Sequence, residues 1–130
     1  MKPDQLLRPT PKGLYCPIGD FYIDPTRPVE RALITHGHSD HARPGHVHVM
    51  ATFQTLDIMA IRYGADHCQT TQGVEFGEVV EVGGVTVSFH PAGHVLGSAQ
   101  ISVEYKGLTI VASGDYKRGI DPTCAPYVSV

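Results

Sequence analysis

The sequence contains little cysteine, and its cysteines do not form a recognisable pair. Cys16, Cys68 and Cys124 are the three cysteines in 130 residues, and they are widely spaced. An odd, scattered set argues against a disulfide framework and favours a reducing cytosol, so we expect a cytoplasmic protein. None of them belongs to a Cys-x-x-Cys pair.

Long apolar runs and an excess of charge are also missing. Hydrophobic residues make up 42% of the chain, yet no run is long enough to cross a bilayer and no secretory signal is visible. We therefore expect no membrane association. The formal net charge of -3 gives no global basic field, so any contact with nucleic acid must be local. The length suits one domain with a core.

A dense group of potential metal ligands follows an apolar segment, 32–34, that predicts a buried strand. His36 and His38 are two residues apart, so their side chains leave an extended backbone on the same side and can reach one metal ion. Asp40 and His41 need a turn to swing toward a second ion. Imidazole nitrogen and carboxylate oxygen both bind divalent ions such as zinc. His-x-His alone also occurs on surface strands, but the full string predicts most of a two-metal site.

The rest of the pattern predicts an α/β protein with one mixed sheet and one helix. The helix spans 53–63, with Thr52 as its N-cap and Gly64 at its end. Gly83-Gly84 predicts a hairpin turn. The predicted strands are 14–16, 21–23, 32–34, 47–51, 80–82, 85–90, 101–105 and 108–112, the last buried on both faces. Residues 1–13 are rich in proline and predict an irregular arm.

Two later loops each add one potential ligand after a predicted strand. His94 lies between Gly93 and Gly97, and glycines let a backbone fold closely around a site. Asp115 follows Gly114, just past the strand at 108–112. Each residue alone is also typical of a turn. Together with 36–41, they give three loops at strand ends that carry metal-binding side chains.

These motifs resemble those of a known superfamily. The string from His36 to His41 is similar to the metal-binding signature of the metallo-β-lactamase superfamily. His-Val-Leu-Gly-Ser-Ala at 94–99 and Ser-Gly-Asp-Tyr-Lys-Arg at 113–118 resemble motifs of its β-CASP branch, whose members are nucleases. Four further segments resemble the bacterial DNA ligase-associated exonucleases. They are 7–17, 21–25, 38–46 and 121–126.

The resemblance implies a metallo-β-lactamase fold of which 1–130 is the N-terminal half of an αββα sandwich. The β-CASP insert and the C-terminal half are not in the sequence, so we expect a fragment, a truncated reading frame or part of a split protein. Two divalent ions, zinc or manganese, are implied. Their ligands are His36, His38 and His94 on one ion, Asp40 and His41 on the other, and Asp115 bridging both. Asp24 is expected to orient a metal-binding histidine. Gly37 departs from the family, where alanine is more usual.

The implied activity is that of a DNA exonuclease in repair, with RNA as a second possible substrate. Asp40 and Asp115 are the expected catalytic residues, and the two ions are expected to hold a hydroxide between them that attacks a phosphodiester. Arg43, Lys117 and Arg118 are candidates for binding flanking phosphates. An ATP-dependent DNA ligase and a helicase are the implied partners. Two alternatives stay open: a small-molecule hydrolase acting on lactones, thioesters or β-lactams, and an inactive metal-binding fragment.

Overall fold

The computed structural model describes residues 2–93 and 95–113, which form two sheets and two helices. The first sheet contains β1 (Arg8–Thr10), β2 (Gly13–Cys16), β3 (Phe21–Ile23), β4 (Arg31–Leu33), β5 (His48–Thr52) and β6 (Thr70–Val74), in that order. The second, in the order β10-β9-β8-β7, contains β7 (Val79–Val82), β8 (Val85–Pro91), β9 (Ala99–Tyr105) and β10 (Leu108–Ala112). The helices are α1 (Pro3–Leu6) and α2 (Phe53–Tyr63). The predicted α/β class is confirmed, but two sheets replace the single one that was predicted.

The first sheet is mixed. Strands β1 to β3 are antiparallel, with Leu14 opposite Ile23 in the predicted hairpin, whereas β3 to β6 are parallel. In the parallel pair β3–β4, Ile23 lies opposite Leu33. Strands β3 and β4 therefore end on the same side of the sheet, at their carboxyl ends, which places Asp24 beside the residues that follow β4.

Apolar residues cover the first sheet on both faces. Phe21, Ile23 and Leu33 contribute to a core between the sheets, together with Phe89 and Ile101 of the second sheet. On the opposite face, α2 packs against a smaller cluster. This cluster contains Ala32, Ile34, Ala42, Val49, Ala51 and Met59. Burial on both faces explains why the parallel strands contain consecutive apolar residues.

Helix α2 has the predicted bounds and connects β5 to the parallel strand β6. The Thr52 hydroxyl accepts a hydrogen bond from the Thr55 N–H, and Gly64 ends the helix with φ of 97°. Strand β6 was not predicted, because its first three residues are exposed and carry no apolar alternation. Neither helix within 2–93 and 95–113 is a candidate for crossing a membrane.

Three further predictions, on the second sheet and on the N-terminal residues, can be compared with the structure. The Gly83-Gly84 hairpin is confirmed, with positive φ at both residues. Burial of 108–112 on both faces is wrong: among the described strands β10 is an edge strand, and Thr109 is exposed. The irregular arm is also wrong, because burial of Leu6 and Leu7 orders α1 and β1. Pro9 is compatible with β1 because that strand lies at the edge of its sheet.

Two buried histidines lie shortly before neighbouring parallel strands, His46 before β5 and His67 before β6. His46 and His67 are 2% and 7% exposed, and the Nδ1 of His46 accepts a hydrogen bond of 3.1 Å from the Val29 N–H. Burial lowers the pKa of both imidazoles, and the nearby His67 lowers that of His46 further. The fold therefore favours the neutral form of both residues, because the charged imidazolium is better hydrated in the unfolded chain.

This burial predicts a loss of stability in mild acid. A lowered folded-state pKa contributes stability that is present above the unfolded value, about 6.5, and lost as pH falls below it. His46→Asn keeps an acceptor for the Val29 N–H but cannot titrate, so its free energy of unfolding should fall less steeply than that of the wild type between pH 7 and 5. Urea denaturation with metal chelated measures this, with exposed His48→Asn as control. Equal slopes for His46→Asn and the wild type contradict the prediction.

Candidate metal centre

The histidine loop, residues 35–42, begins where β4 ends. Its first two residues, Thr35 and His36, are buried, whereas His38 and Asp40 are exposed. The backbone then turns, because the N–H groups of His41 and Ala42 both donate to the carbonyl of His38, at 3.0 and 2.8 Å. This is the turn that the sequence requires after His38, and it brings His41 back toward His36.

The predicted metal ligands of the histidine loop fall into two overlapping groups that share His36. The ligand atoms of His36, His38 and Asp40 lie within 4.8 Å of one another, and the same holds for those of Asp24, His36 and His41. His41 Nε2 lies 3.5 Å from Asp40 Oδ2. Two ligands on one tetrahedral ion, with bonds of about 2.1 Å, are separated by about 3.4 Å. The donor types and this spacing therefore fit a divalent ion.

Asp24 lies directly after β3 in the left-handed region, with φ of 48°. Its Oδ1 accepts a hydrogen bond of 2.8 Å from the Thr35 N–H. Its Oδ2 accepts two more, from the Thr35 hydroxyl at 2.5 Å and from His41 Nδ1 at 2.8 Å. Both carboxylate oxygens are thus engaged by the histidine loop, and Asp24 holds His41 by the ring nitrogen farther from Asp40.

Thr35 extends this network to a second imidazole. Its hydroxyl oxygen lies 2.9 Å from His36 Nδ1, and the single hydroxyl proton is donated to Asp24. Nδ1 of His36 must therefore carry a proton and donate it to Thr35. The same tautomer follows for His41, so both rings present the Nε2 lone pair that a metal requires. Thr35 was missed by the sequence analysis; its position directly before His36 was the available signal.

Helix α2 fixes the outer side of the histidine loop. An Arg62 guanidinium N–H donates to the Gly37 carbonyl, and the Tyr63 hydroxyl donates to the Ala42 carbonyl at 2.8 Å. A Cβ on Gly37 would lie 2.7 Å from Cγ2 of Ile58. A Cβ at position 37 would therefore clash with α2 unless Ile58 moved.

Gly97 and Ala99 contact the same region. The Ala99 N–H donates to the Thr35 carbonyl at 2.7 Å, and the Thr52 hydroxyl donates to the Gly97 carbonyl at 2.7 Å. The start of β9 is therefore anchored to the histidine loop, and Gly97 is anchored to the N-cap of α2. The predicted site residues outside the described part of the chain are His94, Asp115, Lys117 and Arg118.

Comparisons with known proteins find sequence similarity to enzymes whose names refer to nucleic acids. No family model matches. A protein named "Probable DNA ligase" from Opitutus terrae is 29% identical over 91% of this chain and 12% of its own length. "Ribonuclease TTHA0252" from Thermus thermophilus is 31% identical over 73% of this chain and 27% of its own. The chain thus spans a minor part of both relatives. A subclass B3 metallo-β-lactamase from a soil metagenome shares the fold, with a TM-score of 0.51 and 21% identity over 81% of this chain and 53% of that structure.

The contact between Gly37 and Ile58 predicts non-additive effects on stability. Gly37→Ala should destabilise the fold by about 1–3 kcal/mol, as expected for an added methyl group in a packed site. Ile58→Ala removes the clashing side chain, so the double variant should be more stable than the sum of the single effects. Urea denaturation of all four proteins measures this coupling. Additivity within about 0.5 kcal/mol contradicts the predicted contact.

Proposed function

We propose that the chain, which has the metallo-β-lactamase fold, belongs to that superfamily and forms the metal-binding part of a nuclease that hydrolyses phosphodiester bonds. The observation that carries the proposal is the network in which Asp24 and Thr35 fix the tautomers of two histidines beside Asp40. Such a network prepares ligands for a metal ion, which a merely structural histidine cluster does not need.

The proposed ligand sets follow the three strand-end loops. The first ion takes His36, His38 and His94, the second takes Asp40 and His41, and Asp115 bridges both. The spacing of 3.5 Å between Asp40 and His41 supports their sharing one ion. Imidazole and carboxylate ligands suit both zinc and manganese. When bound, the two ions would supply activation of water at neutral pH and compensation of charge on the phosphate.

The residues of the chain itself are proposed to orient the metal ligands and to position the substrate. Asp24 accepts hydrogen bonds from His41 Nδ1 and from the Thr35 hydroxyl, and that hydroxyl accepts one from His36 Nδ1, so one carboxylate orients the Nε2 lone pairs of two imidazoles toward the site. Arg43 lies two residues after His41 and is proposed to bind a phosphate near the reacting linkage. Lys117 and Arg118 are proposed for the same role by their position after Asp115.

DNA is the proposed substrate because the relative that matches 91% of the chain carries the name of a DNA ligase. RNA is the second candidate, since another relative is named a ribonuclease. Exonuclease action, a ligase and a helicase as partners, and a cytoplasmic location remain proposals that rest on the family resemblance. The likeness to a metallo-β-lactamase, at 21% identity, supports the fold and not a β-lactam substrate.

The activity is tested on the chain together with any sequence that its gene encodes after Val130. With Mn²⁺ or Zn²⁺ we expect cleavage of end-labelled DNA or RNA and none of nitrocefin or a lactone panel. His36→Asn and Asp40→Asn should each reduce cleavage by at least about 100-fold, because partners that only orient a ligand already contribute 10–100-fold. A ladder from 5′- and 3′-labelled strands gives the polarity. Turnover of the panel with intact nucleic acid contradicts the proposal.

The role of Thr35 is tested by metal affinity. Thr35→Val conserves shape but removes the hydroxyl between Asp24 and His36, so affinity for Zn²⁺ or Mn²⁺ should fall by about 10–100-fold. Thr35→Ser keeps the hydroxyl and should bind within a few-fold of the wild type. Competition with a chromophoric chelator measures both, and circular dichroism checks the fold. Equal affinity of the valine variant and the wild type contradicts the orienting role.

A further inference from the structure

A groove with two arginines opens beside the proposed metal site. It has a volume of about 530 Å³. Thr26, Arg27 and Pro28 form one wall, and Ser39, Asp40 and Arg43 form part of the other. Asp40 also belongs to the cluster of ligand atoms with His36 and His38. The groove and the proposed metal site are therefore continuous.

The two arginines are available to a ligand. Within the described part of the chain, neither Arg27 nor Arg43 forms an ion pair. The Nε of Arg43 is buried and has no hydrogen-bond partner among the described residues. A buried donor of this kind costs free energy unless an acceptor reaches it. A guanidinium presents its N–H groups in a plane that matches two oxygens of a phosphate.

The wall that carries Arg27 is fixed on both sides of this residue. The Thr26 N–H donates to the Lys12 carbonyl at 2.7 Å, and the Val29 N–H donates to His46 Nδ1 at 3.1 Å. Arg27 itself is exposed. Its side chain therefore extends from a backbone that is already ordered, which lowers the entropy lost when a ligand binds.

The wall that carries Arg43 is fixed in the same way. The Ala42 carbonyl accepts a hydrogen bond of 2.8 Å from the Tyr63 hydroxyl, and the Gly45 N–H donates to the His67 carbonyl at 2.9 Å. Gly45 has φ of 98°, a conformation that favours glycine. Both arginines thus extend from a pinned backbone in the two segments that line the groove.

We propose that this groove binds a phosphodiester next to the linkage at the metal site, with Arg27 and Arg43 supplying the charge. This inference rests on the proposed function and deepens it. Because the formal net charge is -3, attraction of a nucleic-acid strand depends on local positive groups such as these two arginines. Phosphodiesters are common to DNA and RNA, so the contact selects the backbone and not the base sequence.

Salt-dependent binding tests the groove. Arg27→Gln, Arg43→Gln and Arg31→Gln are compared with the wild type on matched fluorescent single-stranded DNA and RNA, in EDTA to prevent cutting. We expect the first two variants to bind about three- to tenfold more weakly at low salt, with a slope of log K against log [NaCl] that is shallower by about 0.7. Arg31 is exposed at the start of β4 and lines a different cavity, so its variant should change neither quantity.

An oligonucleotide series locates the contact. One phosphate at a time is replaced by an uncharged methylphosphonate. At one position the replacement should weaken the wild type about as much as Arg27→Gln does and should leave the affinity of Arg27→Gln unchanged. If every position weakens both proteins equally, Arg27 does not contact a phosphate and the inference is overturned.

The outcomes separate this inference from the proposed function. If both groove variants keep the affinity and the salt slope of the wild type, the proposed phosphodiester contact in the groove is overturned, even when the metal-loaded protein cuts nucleic acid. No measurable binding by the wild type at low salt also overturns it. Failure of the metal-loaded protein to cut any nucleic acid overturns the proposed function instead. If Arg43→Gln loses its fold by circular dichroism, exposed Arg27→Gln decides alone.

Discussion

The Asp24 carboxylate is the group on which the candidate site depends. A non-glycine residue in the left-handed region costs free energy, on the order of 1–3 kcal/mol at most, and aspartate tolerates it better than most residues. Three hydrogen bonds from Thr35 and His41 offset this cost, and bonds to an ionised acceptor are the stronger kind. Asp24 thus joins the end of β3 to the loop after β4 and sets two imidazole tautomers.

The parallel pairing of β3 and β4 makes this contact available. With Ile23 opposite Leu33, the next residues of both strands leave at the same edge, and the Asp24 N–H still reaches the Leu33 carbonyl at 2.9 Å. An antiparallel pair would send the two loops to opposite edges. The site is therefore a consequence of strand direction as much as of the histidine motif.

The sequence predicted the parts of the structure that local pattern controls. The bounds of α2 follow from Thr52, Gly64 and the apolar spacing between them, and the second hairpin follows from two glycines. Strand β6 and helix α1 depend instead on distant partners, namely β5 and the core around Leu6. The role of Thr35 was missed because its place before His36 is only a local signal, whereas its partner Asp24 lies 11 residues earlier and meets it only in the folded chain.

His46 links the stability of the fold to the wall of the arginine groove. Its Nδ1 can accept the Val29 N–H only while that nitrogen is unprotonated. Burial lowers the pKa of His46 and so keeps the acceptor form near neutral pH. Protonation in acid therefore removes the hydrogen bond that holds the backbone two residues after Arg27. The same buried histidine that sets the acid sensitivity of the core also keeps the Arg27 wall in place.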